Sequence, residues 1–284
     1  MYESPYMLST RDSDILEAVY TFHYLTVPQL TRLIYGTKSD HFTNEQVKRL
    51  TEAGYLYRFP LPDSKRGNKQ LIATLASKGI KHLKETGKDG LYFRPGDTPP
   101  SILHLQHELA VNDFLISASL LPKCEPAITL HGLKTGWQLS HTPLKVSVRG
   151  EKISVVGDGF LDFRYLVGND TYQTAVWLEL DRNSEYSKQL KRKVRGLVTA
   201  LMSKHAADLF GTDLFTIAFV TMSDARLQAI RTYVMEVLTE MERMQYASMF
   251  LFTSLSQEVE PNIFISPMWQ TLNGITPVPL LDLS

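Results

Sequence analysis

Apolar and polar positions along the chain first alternate with a helical period. Ile15, Leu16, Val19 and Tyr20 form a stripe over residues 12–22, and Ser9 or Thr10 stands where a helix cap is needed. Thr26 is a second cap, and Pro28 falls early in the helix that follows, where its missing N–H costs nothing. A third helix over residues 43–53 turns Val47, Leu50 and Ala53 inward and His41, Asn44, Gln46, Lys48 and Arg49 outward, and Gly54 stops it. The period then changes to two. Residues 55–59 and 71–75 read as strands around a polar loop at 60–68, a hairpin whose basic tip holds Lys65, Arg66 and Lys69. A helix over 76–86 follows, so the order is that of a winged helix-turn-helix.

Residues 84–100 gather Gly, Asp and Pro without a sustained period. They suggest a first domain over 1–95, a linker over 96–100 and a second domain over 101–284. The second opens with a helix over 101–120, broken by proline at 122–126. Strands at 128–139, 144–148, 153–165 and 172–179 then form a largely antiparallel meander. A helix over 184–204, a strand over 214–221, a helix over 224–244 and strands over 247–253 and 263–269 complete the pattern, with an apolar tail at 276–284 packed on the surface. The class is α/β (α+β).

Composition narrows the functions available. A chain of 284 residues with 43% apolar and 21% charged residues suits two soluble globular domains. Its net charge is zero, so any attraction for nucleic acid must come from local clusters of Lys and Arg. The single cysteine, Cys124, excludes an internal disulfide and a multi-cysteine zinc site. Residues 1–10 have no signal-peptide character and no apolar run spans a bilayer, which points to a cytoplasmic protein with no membrane partner. No Walker loop, dinucleotide fingerprint or nucleophile elbow is present, so no nucleotide cofactor is expected.

The candidate chemistry lies between residues 155 and 193. Alternation puts Asp158, Phe160 and Asp162 on one strand face, and Glu179 with Asp181 on one face of the next strand. The two later acids close the apolar run 175–178, where they are half desolvated and need a partner. A hard divalent cation is one such partner, solvent the plainer alternative. The helix beyond carries Lys188, Lys191, Arg192, Lys193 and Arg195 outside a buried stripe of Leu190, Val194, Leu197, Val198 and Leu201. Such a run is either a solvated face or a set of phosphate contacts, to which Lys191 and Arg192 belong. In the first domain Lys48, Arg49, Lys65, Arg66 and Lys69 are candidate phosphate contacts on double-stranded DNA, and Asn44 and Gln46 candidate readers of base edges. His104 and His107 lack the spacing of a metalloprotease helix.

Asp158-Gly159-Phe160, then Glu179-Leu180-Asp181-Arg182, then the cluster Lys191 to Arg195 resembles the PD-(D/E)xK nuclease core of the replication-relaxation family. The stretch His107 to Asp113 is similar to the helix that opens that core. The resemblance implies a winged helix-turn-helix followed by a restriction-endonuclease-like domain, in a protein of plasmids or other mobile elements. It implies Asp158, Glu179 and Asp181 as ligands of Mg²⁺ or Mn²⁺ and DNA nicking as the activity, with Glu108 an extra acid on the opening helix. Gly157 stands in place of a proline and Asp181 in place of the catalytic lysine, for which Lys191 or Lys193 is the candidate substitute. The alternative is a non-enzymatic DNA-binding regulator whose core serves dimerisation or DNA wrapping.

Overall fold

A computed structural model describes residues 7–36, 40–61, 70–88, 101–182, 187–201, 203–212, 215–255 and 259–283. Lys65, Arg66 and Lys69 of the hairpin tip and the linker 96–100 lie outside the described residues. The chain is a mixed α/β protein with two compact units, 1–112 and 113–284.

In the first unit, α1 (Thr10–Phe22) begins at Ser9, whose hydroxyl accepts from the Asp12 N–H while the Asp12 carboxylate accepts from the Ser9 N–H. The short strand β1 (Leu25–Thr26) leads into α2 (Val27–Tyr35), where Thr26 and Gln29 make the same reciprocal cap and Pro28 sits in the first turn. Helix α3 (Asp40–Glu52) starts three residues earlier than the apolar pattern suggests. Strands β2 (Leu56–Pro60) and β3 (Leu71–Leu75) pair antiparallel, β1 joins on the far side of β3, and α4 (Ser77–Glu85) follows.

Helix α5 (Ile102–Cys124) runs through Pro122, whose missing N–H falls within its last turn; the expected break comes after Cys124 instead. The unit division falls inside this helix. Its first half packs Leu105 and Leu109 on Tyr24 and Ile72. Asn112 there donates to the carbonyls of Phe22 and Tyr24 at 3.0 and 2.7 Å, clasping the turn at His23, whose φ is 65°.

The second unit is built on a six-stranded sheet in the order β11-β10-β9-β8-β7-β4. These are β4 (Ile128–Thr135), β7 (Gly159–Val167), β8 (Asp170–Asp181), β9 (Phe215–Thr221), β10 (Phe250–Ser254) and β11 (Gln270–Thr271). Strands β4, β7 and β8 are antiparallel, whereas β8, β9 and β10 run parallel. Helices α7 (Ser187–Leu201), α8 (Lys204–Phe210) and α9 (Asp224–Glu240) fill the β8–β9 and β9–β10 crossovers. Leu190, Val194, Leu197, Ile230 and Val234 of α7 and α9 share one core with Phe160, Trp177, Ile217, Phe219 and Phe250 of the sheet. Each fully buried side chain of this kind contributes ~1.5–3 kcal/mol, so apolar contact rather than charge holds α7 in place.

Three strand readings give way here. Residues 128–139 do not form one strand: Thr135 and Gln138 make a reciprocal cap that starts α6 (Gly136–His141). The run 153–165 splits into β6 (Glu151–Val155) and β7, and β6 pairs only with β5 (Leu144–Val148) in a separate two-stranded sheet against α7. The expected strand over 263–269 is a 3-10 turn at Pro261–Phe264 followed by a bridge from Trp269 to Val278. Among the described residues no helix is long and apolar enough to cross a membrane.

Candidate functional site

The split between β6 and β7 sets Asp158 in a bend rather than in a strand. Its N–H donates to the Leu178 carbonyl at 3.0 Å, and its Oδ2 accepts from the Leu180 N–H at 2.7 Å. Asp158 is therefore tied to the carboxyl end of β8, where Glu179 and Asp181 stand. Glu179 is 2% exposed. Its Oε1 accepts from the Trp177 indole N–H at 2.7 Å and its Oε2 meets the Lys193 ammonium from α7. Burial pushes the Glu179 pKa up to about 7; Lys193 pulls it down, Asp158 adds to the rise, and the Trp177 bond lowers it. Asp158, Glu179 and Lys193 are thus gathered from a bend, a strand end and a helix.

Asp181 goes elsewhere. Its Oδ2 accepts from Arg226 Nε at 3.0 Å and from Arg226 Nη2, the arginine being the third residue of α9. Among the described residues no group of three or more His, Cys, Asp or Glu side chains is placed to hold a metal ion. The three-acid set read from the sequence is corrected accordingly. Asp158 and Glu179 remain, two hard oxygen donors close enough for the charge of one to disfavour charge on the other. That donor set fits Mg²⁺ or Mn²⁺, which bind through one or two carboxylates.

Two residues missed in the sequence shape this corner. Trp177 lies against Gly157: a Cβ at position 157 would stand 2.5 Å from the indole Cε2. Glycine there in place of a proline is thereby explained, since the ring that anchors Glu179 occupies the room a side chain needs. The Trp177-x-Glu179 spacing, which puts both on one strand face, was the available signal. Arg226 had none, lying 45 residues beyond its partner.

Three further cations of α7 are also held by carboxylates. Lys191 pairs with Glu236 and lies over the Tyr233 ring, Arg192 pairs with Glu151 at 2.8 Å, and Arg195 pairs with Glu240. Lys191 and Arg192 therefore do not present the open basic stripe that the sequence suggests. His104 meets Glu108 at 3.8 Å in the first unit.

On α3 the structure moves one candidate. Gln46 is 4% exposed and accepts a hydrogen bond from the Tyr35 hydroxyl, so its amide is in the core with Thr43, Val47 and Leu50 and does not face outward. Lys48 and Arg49 are exposed and Asn44 is partly exposed.

Comparison with curated proteins found no match. A family model described as replication-relaxation matches residues 16–207, more than two thirds of the 284 residues. The match covers Asp158, Glu179, Asp181 and Lys193 and runs from within α1 through α7, and the chain belongs to the replication-relaxation family.

Proposed function

We propose that the protein acts in the replication or mobilisation of plasmids and other mobile elements as a DNA-binding, DNA-nicking endonuclease. The first unit is a winged helix-turn-helix. Its helix α3 enters the major groove of double-stranded DNA, with Asn44 toward base edges, Lys48 and Arg49 on phosphates, and the loop bearing Lys65, Arg66 and Lys69 as the wing. The second unit is a PD-(D/E)xK-like core. The observation that carries the reading is the convergence of Asp158, buried Glu179 and Lys193 at the carboxyl end of β8.

In this reading Asp158 and Glu179 would hold Mg²⁺ or Mn²⁺, which would supply Lewis acidity and a water of lowered pKa. Water would attack phosphorus and give up one proton to solvent, one P–O bond to a sugar oxygen would break, and that oxygen would take up a proton from solvent. Lys193 Nζ, displaced from Glu179, is the cation at hand to neutralise charge gathering on the phosphoryl oxygens. The Leu180 N–H fixes one oxygen of Asp158, and the Trp177 N–H fixes one oxygen of Glu179, so neither carboxylate needs to reorient.

A second reading is a non-enzymatic regulator in which the core is a scaffold, used for dimerisation or for wrapping DNA. It is favoured by the direct pairing of Glu179 with Lys193 and of Asp181 with Arg226, which neutralises both acids without a metal ion. Supercoiled DNA incubated with the protein in Mg²⁺, Mn²⁺ or chelator separates the two. Metal-dependent open circles that vanish with Asp158→Ala and with Glu179→Ala support the nuclease. Retarded but intact DNA under every condition supports the regulator.

A further inference from the structure

The hairpin of β5 and β6 lies outside the chemistry described so far. Its two strands pair only with each other and add nothing to the six-stranded sheet. A two-stranded hairpin is marginal by itself, and this one is held from one side. Leu144, Val146, Ile153 and Val155 pack on the core that α7 shares with the sheet. Gly196 of α7 permits the close approach: a Cβ there would stand 2.8 Å from Val155 Cγ2 and 3.0 Å from Ile153 Cγ2. Glu151 turns to the same side, where Arg192 of α7 holds it.

The period of two turns the intervening residues outward. Lys145, Ser147, Lys152 and Ser154 are all exposed, in the cross-strand pairs Lys145–Ser154 and Ser147–Lys152. The two lysines are thus diagonal neighbours on one face, each with a hydroxyl opposite. Arg149 continues the series at the tip. Its φ of 50° and the 83° of Gly150 close the turn in the left-handed region, where Asn, Asp or Gly is the less strained choice at the first position. The chain has 30 acidic and 30 basic residues, yet this face and its tip carry three cations and no acid. Among the described residues neither lysine pairs with a carboxylate. Arg149 only adds to a lowering of the Glu240 pKa that the Arg195 hydrogen bond chiefly causes.

Lysines on open strand edges also discourage edge-to-edge pairing, but charge of either sign does that. The single sign, the interleaved hydroxyls and an arginine at a strained turn together match a phosphodiester backbone, for which Lys, Arg and Ser are ordinary contacts. Position agrees: Ser154, beside Lys145 at the base of the hairpin, precedes Asp158 by four residues, a reach of at most ~14 Å. We infer that the outward face of the β5–β6 hairpin is a second DNA-binding surface. Lys145, Lys152 and Arg149 bind phosphates of a duplex, and Ser147 and Ser154 donate hydrogen bonds to them. The inference rests on the DNA-binding reading for the identity of the polyanion. The surface holds the duplex and reads no bases.

The test is the fluorescence anisotropy of a labelled mixed-sequence DNA duplex titrated with the full chain in chelator, over a range of NaCl concentrations. The hairpin triple variant is Lys145→Gln, Arg149→Asn and Lys152→Gln. A control triple, Lys123→Gln, Arg164→Gln and Arg243→Gln, removes the same charge elsewhere in the second unit. The hairpin positions are exposed and Asn suits the left-handed turn, so the fold is retained, as a thermal melt verifies. Binding weakened at least tenfold in the hairpin variant, with the slope of log affinity against log salt lower by about 2 to 3 and the control slope unchanged, supports the inference. A hairpin variant that binds like the native chain overturns it, as does a control that loses as much. A third variant, Lys48→Ala with Arg49→Ala, separates it from the reading of the first unit. Loss in that variant alone removes the inference and keeps α3 on DNA, whereas loss in the hairpin variant alone does the reverse. A native chain without affinity for the duplex removes both, and its recruitment through the hairpin to phosphatidylglycerol vesicles would make the partner a membrane surface instead.

Discussion

Two helices of this molecule are basic, and their cations meet different surroundings. Helix α7 carries Lys188, Lys191, Arg192, Lys193 and Arg195 and no acid of its own. Four of those five are matched by carboxylates from β6, β8 and α9. Helix α3 carries two cations, Lys48 and Arg49, beside the acids Asp40, Glu45 and Glu52, and neither cation pairs with another described residue. A polyanion responds to the field left after partners are counted, not to the local sequence. Most cations of the richly basic helix are thus tied in ion pairs, while the two of the mixed one are exposed and tied to no carboxylate among the described residues.

The hardest blow to this contrast is Lys193→Met, which leaves the Glu179 carboxylate buried without its cation. The expected loss is ~3–5 kcal/mol at pH 8, read by denaturant unfolding. The same measurement at pH 5 should show little loss, because Glu179 is protonated there. The sign follows from linkage. Glu179 titrates at about 7 in the folded chain against a usual 4.5. Between those values the folded state holds more protons than the unfolded one, so the contribution of this group to stability falls as pH rises to about 7 and is flat beyond it. Native protein whose stability rises through that window would refute the assignment.

Gly157→Ala loosens the same lock from its other side by pushing on Trp177. Overpacking of this kind costs ~1–3 kcal/mol in a thermal or denaturant melt. On the proposed nuclease reading, metal-dependent nicking should fall with it, as the Trp177 hydrogen bond to Glu179 is displaced. Unchanged stability would mean that the indole has room to move.

The smallest effects on stability sharpen the comparison most. Lys48→Ala, Arg49→Ala and Arg192→Ala should each change unfolding by under ~1 kcal/mol, since all three side chains are substantially exposed. Their effects on DNA binding should differ. Each α3 substitution should reduce the slope of log affinity against log salt by about 1, and Arg192→Ala should leave it unchanged. Equal slopes for all three would erase the distinction between the helices.

Local chemistry made much of the fold legible. The Ser9 and Thr26 caps, the stripe of Leu190, Val194 and Leu197, and the short apolar run over 71–75 need only near neighbours to be read. Errors arose where one signal masked another. Thr135 and Gln138 announce a helix cap inside a strand-like run, and the bend at Asp158 interrupts an alternation that looks continuous. Gln46 was misplaced by residue type, although its angle on α3 lies with Thr43, Val47 and Leu50. At the site, Asp158 and Glu179 were legible because adjacent strands keep them together. The destination of Asp181 was not, since Arg226 reaches it only through the β8–β9–α9 crossover.

The hydrogen bond from Trp177 to Glu179 also makes the site observable in solution. The chain has three tryptophans, and the Trp269 indole N–H is buried against the Ile263 carbonyl while Trp137 stacks edge-on to His141. The Trp177 indole proton lies on an oxygen of a carboxylate that titrates near neutrality. In a proton spectrum its resonance should migrate with a midpoint near pH 7, and addition of Mn²⁺ should broaden it before the other two. The protein thus carries its own spectroscopic reporter, and occupancy of the acidic site is readable without label, substrate or turnover.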